Sequence, residues 1–405
     1  MQSYITRWHL QNSKNKKIVN QDIIQNEVEE IYKLFTSWGK KEEVNYVKAE
    51  VESINKSNLV KLSLLADKNI INNRWGNDGA SGLTKAIRRG AILVTTNPVM
   101  VNNVRKAEPE EWDKIKEDLK RKNPDVGVDK LIQYFTMKVV LKNAKELRPI
   151  FEATNGKYGY VKLQVNPKNS EDSIKMTKEV EFLYNQLSIE LNGTPNVVFK
   201  IPGTKSAFPT VERLTSQGIA VNITACASIA QLVKFAEIIE KGNAKLSYLT
   251  MMAGRFDDPI RDELIKAGVK DAAELAKHAS TLVIRKAYDI LFRQRKFTKS
   301  TLLVASLRGP WHIEGSITNE IAPIHITIFP DKAEEYDSVE REIVSRINDK
   351  TSDEMIEELM KSKIFKQGYE LDELADYEFS LFYPVNATLN QFSDNYDELM
   401  EYISK

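Results

Sequence analysis

The sequence is short of the residues that most often carry metals and cross-links. Its 405 residues include one cysteine, Cys226, and four histidines. A lone thiol excludes an intrachain disulfide and suits a reducing compartment. Cys226 reads as a small core residue. His312 and His325 show no metal-ligand spacing, so they give no ground for a metal site. Long apolar runs are missing too: nothing approaches the roughly 18 residues of a membrane span. The N-terminal MQSYITRWHLQNSKNKK lacks the apolar centre of a secretory signal, so a soluble, cytoplasmic protein is expected. Net charge is also nearly absent, 58 Lys and Arg against 57 Asp and Glu. That balance gives no electrostatic ground for nucleic acid or an anionic membrane as a partner. Small molecules become the default ligands, and homo-oligomerisation is left open.

What the chain does have is material for a core, with 42% hydrophobic and 9% aromatic residues. This suffices for one large domain with extensions or for two domains. Its charge is unevenly spread, since residues 331–405 hold 20 acids against 8 bases. A solvated acidic helical face is the simplest expectation there.

Short runs rich in Val, Ile, Leu and Thr recur with helical patterns between them, the mark of a mostly parallel sheet. Eight can be placed: NNRWGND (72–78), AILVTTNP (91–98), GYVKLQV (159–165), NVVFKIPG (196–203), IAVNITA (219–225), LSYLTMMAG (246–254), TLLVASLR (301–308) and IHITIF (324–329). Eight strand–helix units predict an α/β fold, a (β/α)8 TIM barrel with additional N- and C-terminal helices. Two of the intervening helices are expected over 170–191, opened by a Ser cap, and over 228–242, closed by Gly242. Before the barrel, Ile24, Val28, Ile31, Phe35 and Trp38 stand near helical spacing. The expected organisation is residues 1–70 as a helical extension packed on the barrel, 71–332 as the barrel, and 333–405 as an acidic helical extension.

Reactive groups of such a barrel gather at the C-terminal ends of its strands, and polar residues stand there in seven successive runs. They are Asp78, Thr96 with Asn97, Gln164, Lys200, Asn222 with Thr224, Thr250 with Arg255, and Ser306 with Arg308. Alternation in VNITA puts Asn222 and Thr224 on one side of their strand. Two arginines after late strands, Arg255 in AGRFDD and Arg308 in SLRG, suit a phosphorylated substrate. Lys200, in VVFKIPGT, stands out most, because a buried ammonium must snorkel, pair with an acid, or be kept partly neutral for chemistry. Plainer readings remain for several positions. Asp78 fits a turn or cap in NDGAS, Asn97 an Asn-Pro turn opener, and Arg255 a local salt bridge to Asp257 or Asp258.

The segments VTTNPVMV, LRPIFEATNGKYGYVKLQVNPKNSEDSIKMTKEVEFLYNQL, NVVFKIPGTKSAFPTVERLTSQGIAVNITACAS, AGRFDD and LLVASLRG resemble transaldolases in order and approximate spacing. The resemblance covers residues 75–330 and leaves both flanks outside. It implies a (β/α)8 barrel that moves a dihydroxyacetone unit between sugar phosphates through a Schiff base, without metal or organic cofactor. Matched motif to motif, it implies Lys200 as the Schiff-base lysine, Asp78 as the proton-transfer aspartate with Asn77 as the fallback, and Thr224 as the holder of the catalytic water. Asn97, Asn222 and Thr250 then look like contacts to substrate hydroxyls, with Thr250 replacing the usual serine. Arg255, Arg308 and Ser306 look like the phosphate site.

Two positions depart from the family pattern. Gln164 stands where a glutamate usually partners the catalytic water, and a glutamine positions water but cannot take its proton. The aldolase branch, which cleaves fructose 6-phosphate-like sugars, also carries glutamine there, yet that branch's tyrosine before the AGR element is Met252 here. A transaldolase-type enzyme is therefore expected. An aldolase releasing dihydroxyacetone and a non-catalytic sugar-phosphate-binding barrel are the alternatives.

Overall fold

A computed structural model describes residues 29–405 other than Ile31. Eight parallel strands close in sequence order: β1 (Asn73–Asp78), β2 (Leu93–Thr95), β3 (Tyr160–Gln164), β4 (Val197–Pro202), β5 (Val221–Cys226), β6 (Ser247–Met252), β7 (Ser300–Ala305) and β8 (Ile324–Ile328). β1 pairs with both β2 and β8, which closes the barrel. Even the hardly apolar NNRWGND supplies a strand, because its neighbours on both sides satisfy its backbone. Each strand alternates between the interior and the surrounding helices. Val161 and Leu163, for example, join the core under the helices, while Lys162 points to the barrel axis and lies over the Tyr248 ring.

The expected helix over 170–191 is observed as Ser173–Glu190. Its cap is not the serine but Asp172, whose carboxylate accepts the N–H of Lys175. The second runs Ile229–Lys241, with Ser228 as its N-cap and Gly242 following.

The two ends of the barrel are closed differently. At the bottom, Leu93, Val198, Tyr248 and Leu303 from the interior join Val47, Ile54 and Val60 in one cluster. Those last three lie on helices Lys41–Lys56 and Asn58–Asp67, which plug the barrel from below. Of the apolar positions expected to define an earlier helix, Ile24, Val28 and Ile31 lie outside the described residues. Phe35 packs against the bottom cluster, whereas Trp38 is 60% exposed.

At the top lies the C-terminal helix Tyr383–Ser404. Buried Val385, Leu389, Phe392, Tyr396, Leu399 and Ile403 recur every three or four residues along it, so it carries one apolar stripe and must bury it. The stripe docks on the loops and helices after β2 and β3, next to Trp112 and Phe135. Charge reinforces the docking: Glu398 meets Arg105 and Lys106, and Asp397 meets Lys168. Part of the acidity expected to be a solvated face is therefore paired with bases of the barrel. The C-terminal helices begin at Pro330, before residue 333, and residues 340–352 between them are irregular. Among the described residues, no helix is long and apolar enough to cross a membrane.

Candidate active site

Sheet register assembles the site. Gln164 on β3 is the partner of Lys200 on β4, which is the partner of Asn222 on β5. Registered neighbours project to the same side of a sheet, so three of the expected residues form one row around the barrel mouth. Lys200 is only 6% exposed, and its Nζ donates to the carbonyl of Thr96 at 3.0 Å. Burial is the largest influence on this amine and brings its pKa down to about 8; the Asp78 carboxylate opposes that shift and the Arg255 charge adds to it. At pH 7 a group with that pKa is roughly one-tenth neutral, against one in a few thousand at the ordinary value.

Asp78 is buried inside the barrel, and the Thr95 hydroxyl donates to its Oδ1 at 2.5 Å. Thr95 in turn touches Thr327 at 2.9 Å. Burial raises the Asp78 carboxyl above the usual range, opposed by Thr95, by the charges of Lys200 and Arg255, and by the N–H of Ser306. Ser306 presents that N–H from a left-handed backbone, φ 62°, an uncommon conformation for a residue with a side chain. Asn77 serves a different purpose, since its amide donates to the carbonyls of Gly79 and Ser81 and ties the turn after β1.

Thr224 and Asn222 both face the interior. The Asn222 amide donates to Thr250 Oγ1 at 2.8 Å. Three buried polar atoms along this wall, Gln164 Oε1, Asn222 Oδ1 and Thr224 Oγ1, have no hydrogen-bond partner among the described residues. Buried polar atoms are nearly always bonded, so this wall is built to meet something polar that is not protein. Just past Thr224, Ala225 has φ 54° and the β5–β6 register shifts. Such bulges commonly re-aim side chains next to active sites. Asn97 caps helix Pro98–Ala107, its Oδ1 accepting from Met100 N at 3.1 Å, as an Asn-Pro turn opener would.

Arg255 and Arg308 come together at the ends of β6 and β7. A side chain at Gly254 would lie 2.5 Å from the Ser306 carbonyl and 2.6 Å from Arg308, so glycine is what lets the two loops touch. The local salt bridge weighed for Arg255 belongs instead to Arg308, which donates through Nε and Nη2 to Asp258 Oδ2 at 3.0 and 2.8 Å. Arg308 Nη1 also reaches Ser306 Oγ at 3.3 Å. Asp257 pairs with His312 Nε2 at 2.7 Å, and His312 Nδ1 accepts the Arg308 N–H at 3.0 Å. Those two bonds place the imidazole proton on Nε2 and fix the Arg308 backbone. Arg255 is held from the C-terminal helix, donating to Gln391 Oε1.

Several contributors were not singled out from the sequence. Lys162 sits one layer below Lys200, fully buried, without a hydrogen-bond partner among the described residues and 3.2 Å from the centre of the Tyr248 ring. Alternation in YVKLQ places it on the side of Gln164, and that was the available signal. Glu179 accepts the Asn166 N–H with both oxygens, at 3.0 and 3.1 Å, and steadies the loop after Gln164. Phe392 and Gln391 left no signal beyond the apolar periodicity of their helix. A surface cavity of about 510 Å³ lies elsewhere, against Pro259, Glu263, Lys363 and Phe382. It shares no lining residue with this site.

Residues 80–403 match the family described as transaldolase/fructose-6-phosphate aldolase. The chain belongs to that family. The match extends through the C-terminal helix, past the 75–330 span of the sequence motifs. A transaldolase of Thiobacillus denitrificans is 25% identical over 288 residues, 68% of this chain and 76% of that one. A transaldolase of Helicobacter pylori strain P12 is 27% identical over 209 residues, 49% of this chain and 63% of that one. Transaldolase 1 of Streptomyces avermitilis is 30% identical over 181 residues, 40% of this chain and 45% of that one. The chain thus spans about half to two thirds of the length of the last two relatives.

Proposed function

We propose that this enzyme transfers a dihydroxyacetone unit between sugar phosphates through a Schiff base on Lys200. The observation that carries the reading is a lysine buried in the barrel mouth with its pKa lowered to about 8, facing the Asp78 carboxylate.

In the proposed sequence, the neutral Nζ attacks the C2 carbonyl of a ketose phosphate. The resulting carbinolamine loses water, which Thr224 Oγ1 and Gln164 hold, to give an iminium. Asp78 takes the proton of the C4 hydroxyl as the C3–C4 bond breaks; the electron pair moves into the iminium, and an aldose phosphate departs. The enamine left on Lys200 then adds to the aldehyde of an acceptor, and hydrolysis frees the new ketose. Arg255 and Arg308, with Ser306, hold the phosphate, and Asn222, Thr250 and Asn97 contact the hydroxyls. The site is proposed to work without metal or organic cofactor. To test the reading, fructose 6-phosphate is added, the mixture is reduced with borohydride, and the protein is mapped by mass spectrometry. A three-carbon adduct on Lys200 is expected; no adduct with any ketose phosphate would sink it.

One observation favours a second reading, cleavage with release of dihydroxyacetone: the water-positioning place holds Gln164, whose Oε1 is buried and unpartnered. Product analysis with and without erythrose 4-phosphate separates transfer from release. Gln164→Glu supplies a base and is expected to shift products toward transfer, whereas unchanged partitioning removes Gln164 from the argument.

A further inference from the structure

The C-terminal helix reaches the barrel mouth with two adjacent residues, Gln391 and Phe392. Phe392 is 1% exposed. The centre of its ring lies 5.9 Å from Lys200 Nζ and 5.4 Å from the Arg255 guanidinium carbon. One ring therefore borders both the amine and the proposed phosphate site. Gln391 is exposed and accepts the Arg255 hydrogen bond. The helix is clasped to the loop regions after β2 and β3 as well: the Asn102 amide donates to the Asn395 carbonyl at 2.9 Å, Tyr396 Oη reaches Asp129 at 3.2 Å, and Lys168 pairs with Asp397. Both side chains are thus delivered by an anchored element.

We propose that Phe392 and Gln391 are positioning residues of this active site: the Phe392 ring shields the Lys200 amine from water, and the Gln391 carboxamide aims Arg255 at the substrate phosphate. The first keeps the amine reactive toward any ketose, and the second gives a preference for phosphorylated over unphosphorylated ones. This inference rests on the reading of Lys200 and Arg255 given under Proposed function.

At 5.9 Å the ring's attraction for an ammonium is near its limit of reach, whereas an amine against an aromatic wall is poorly hydrated, and the net effect disfavours its charged form. The charged groups facing Lys200 are Asp78 from β1, Lys162 from β3 and Arg255 from the helix after β6, with Arg308 and its partner Asp258 behind Arg255. On the C-terminal helix the nearby acids are already engaged, Asp397 by Lys168 and Glu398 by Arg105 and Lys106. The helix therefore acts on Lys200 through an apolar surface rather than a charge. Arg255, with no carboxylate in salt-bridge contact among the described residues, keeps its charge for the substrate while the neutral Gln391 fixes its direction. A neutral brace is easier for a phosphate to displace or share than a salt bridge.

The test measures the Lys200 titration directly, by competitive acylation across pH with mass-spectrometric readout, in the full chain and its variants. Phe392→Ala should raise the midpoint by about one pH unit, lowering the neutral fraction at pH 7 roughly tenfold. Phe392→Leu, which keeps an apolar wall, should stay near the wild-type midpoint. Gln391→Ala alters an exposed residue and does not threaten the fold. It should raise KM for fructose 6-phosphate roughly fivefold to tenfold, with a much smaller change for unphosphorylated fructose. A folded Phe392→Ala protein whose midpoint stays at the wild-type value would overturn the shielding role. Equal effects of Gln391→Ala on both sugars, or no effect on either, would overturn the aiming role. Should Phe392→Ala not fold, Phe392→Ser and Phe392→Leu together decide the first point. The titration needs no turnover, so wild-type protein that traps no ketose phosphate defeats the proposed reaction without touching this result. Wild-type trapping with unmoved variants defeats the inference alone.

Discussion

Two buried lysines stand one layer apart inside the same barrel, in unlike surroundings. Lys200, in the mouth, bonds to the Thr96 carbonyl and faces Asp78. Lys162, beneath it, has no hydrogen-bond partner among the described residues, lies on the Tyr248 ring, and shares its layer with a neutral, buried His325. Burial lowers the pKa of both. Asp78 acts on both; what differs is the rest of the company, orphaned acceptors and the Arg255 charge around one, aromatic rings around the other. A depressed lysine is therefore not sufficient to mark a reactive centre; the groups able to move protons and hold a substrate decide it.

Lys200→Met should have the largest effect. Turnover and ketose trapping should fall by about 10⁴-fold or more. Stability at pH 7 should meanwhile rise by on the order of 2 kcal/mol, since a costly buried amine is replaced by an apolar chain. The sign with pH follows from linkage. The unfolded chain binds the Lys200 proton up to about 10.4 while the folded chain releases it from about 8, so wild-type stability gains between those values. Denaturation curves at pH 7 and pH 10 should show the advantage of Lys200→Met shrinking. The same titration makes activity rise with pH through about 8.

Asp78→Asn comes next. Turnover should drop by roughly 10²- to 10⁴-fold. Borohydride trapping of Lys200 should survive with a preformed dihydroxyacetone donor, because imine formation and C–C cleavage make separate demands. Loss of both together would mean that Asp78 serves only to hold the lysine.

Lys162→Met should do least to catalysis. Activity should stay within about threefold, while stability should rise at least as much as in Lys200→Met, by on the order of 2 kcal/mol, read from thermal or urea unfolding. A tenfold loss of activity would erase the distinction between the two layers.

How much was legible beforehand follows the range of the interactions. Seven of the eight strands could be read as local runs of apolar residues between turn signals, and the hardly apolar NNRWGND completes the closed set. Asp78 rather than Asn77 reaches the interior because side chains alternate, and Asn97 caps a helix because Asn-Pro does so locally. Less could be read where partners are remote in sequence. Arg308 rather than Arg255 takes Asp258, because the touching of the β6 and β7 loops decides it. Gln391 and Phe392 reach the mouth only after the C-terminal helix docks. Lys162 carried the same alternation signal as Gln164, yet a lysine in a short apolar strand reads first as a snorkelling side chain.

The most direct test of the account maps the borohydride-reduced adduct after incubation with fructose 6-phosphate. The account predicts a single three-carbon adduct on Lys200, unchanged in position in the Lys162→Met protein and absent in the Lys200→Met protein. An adduct on Lys162, or none on either lysine in the wild-type chain, would contradict it.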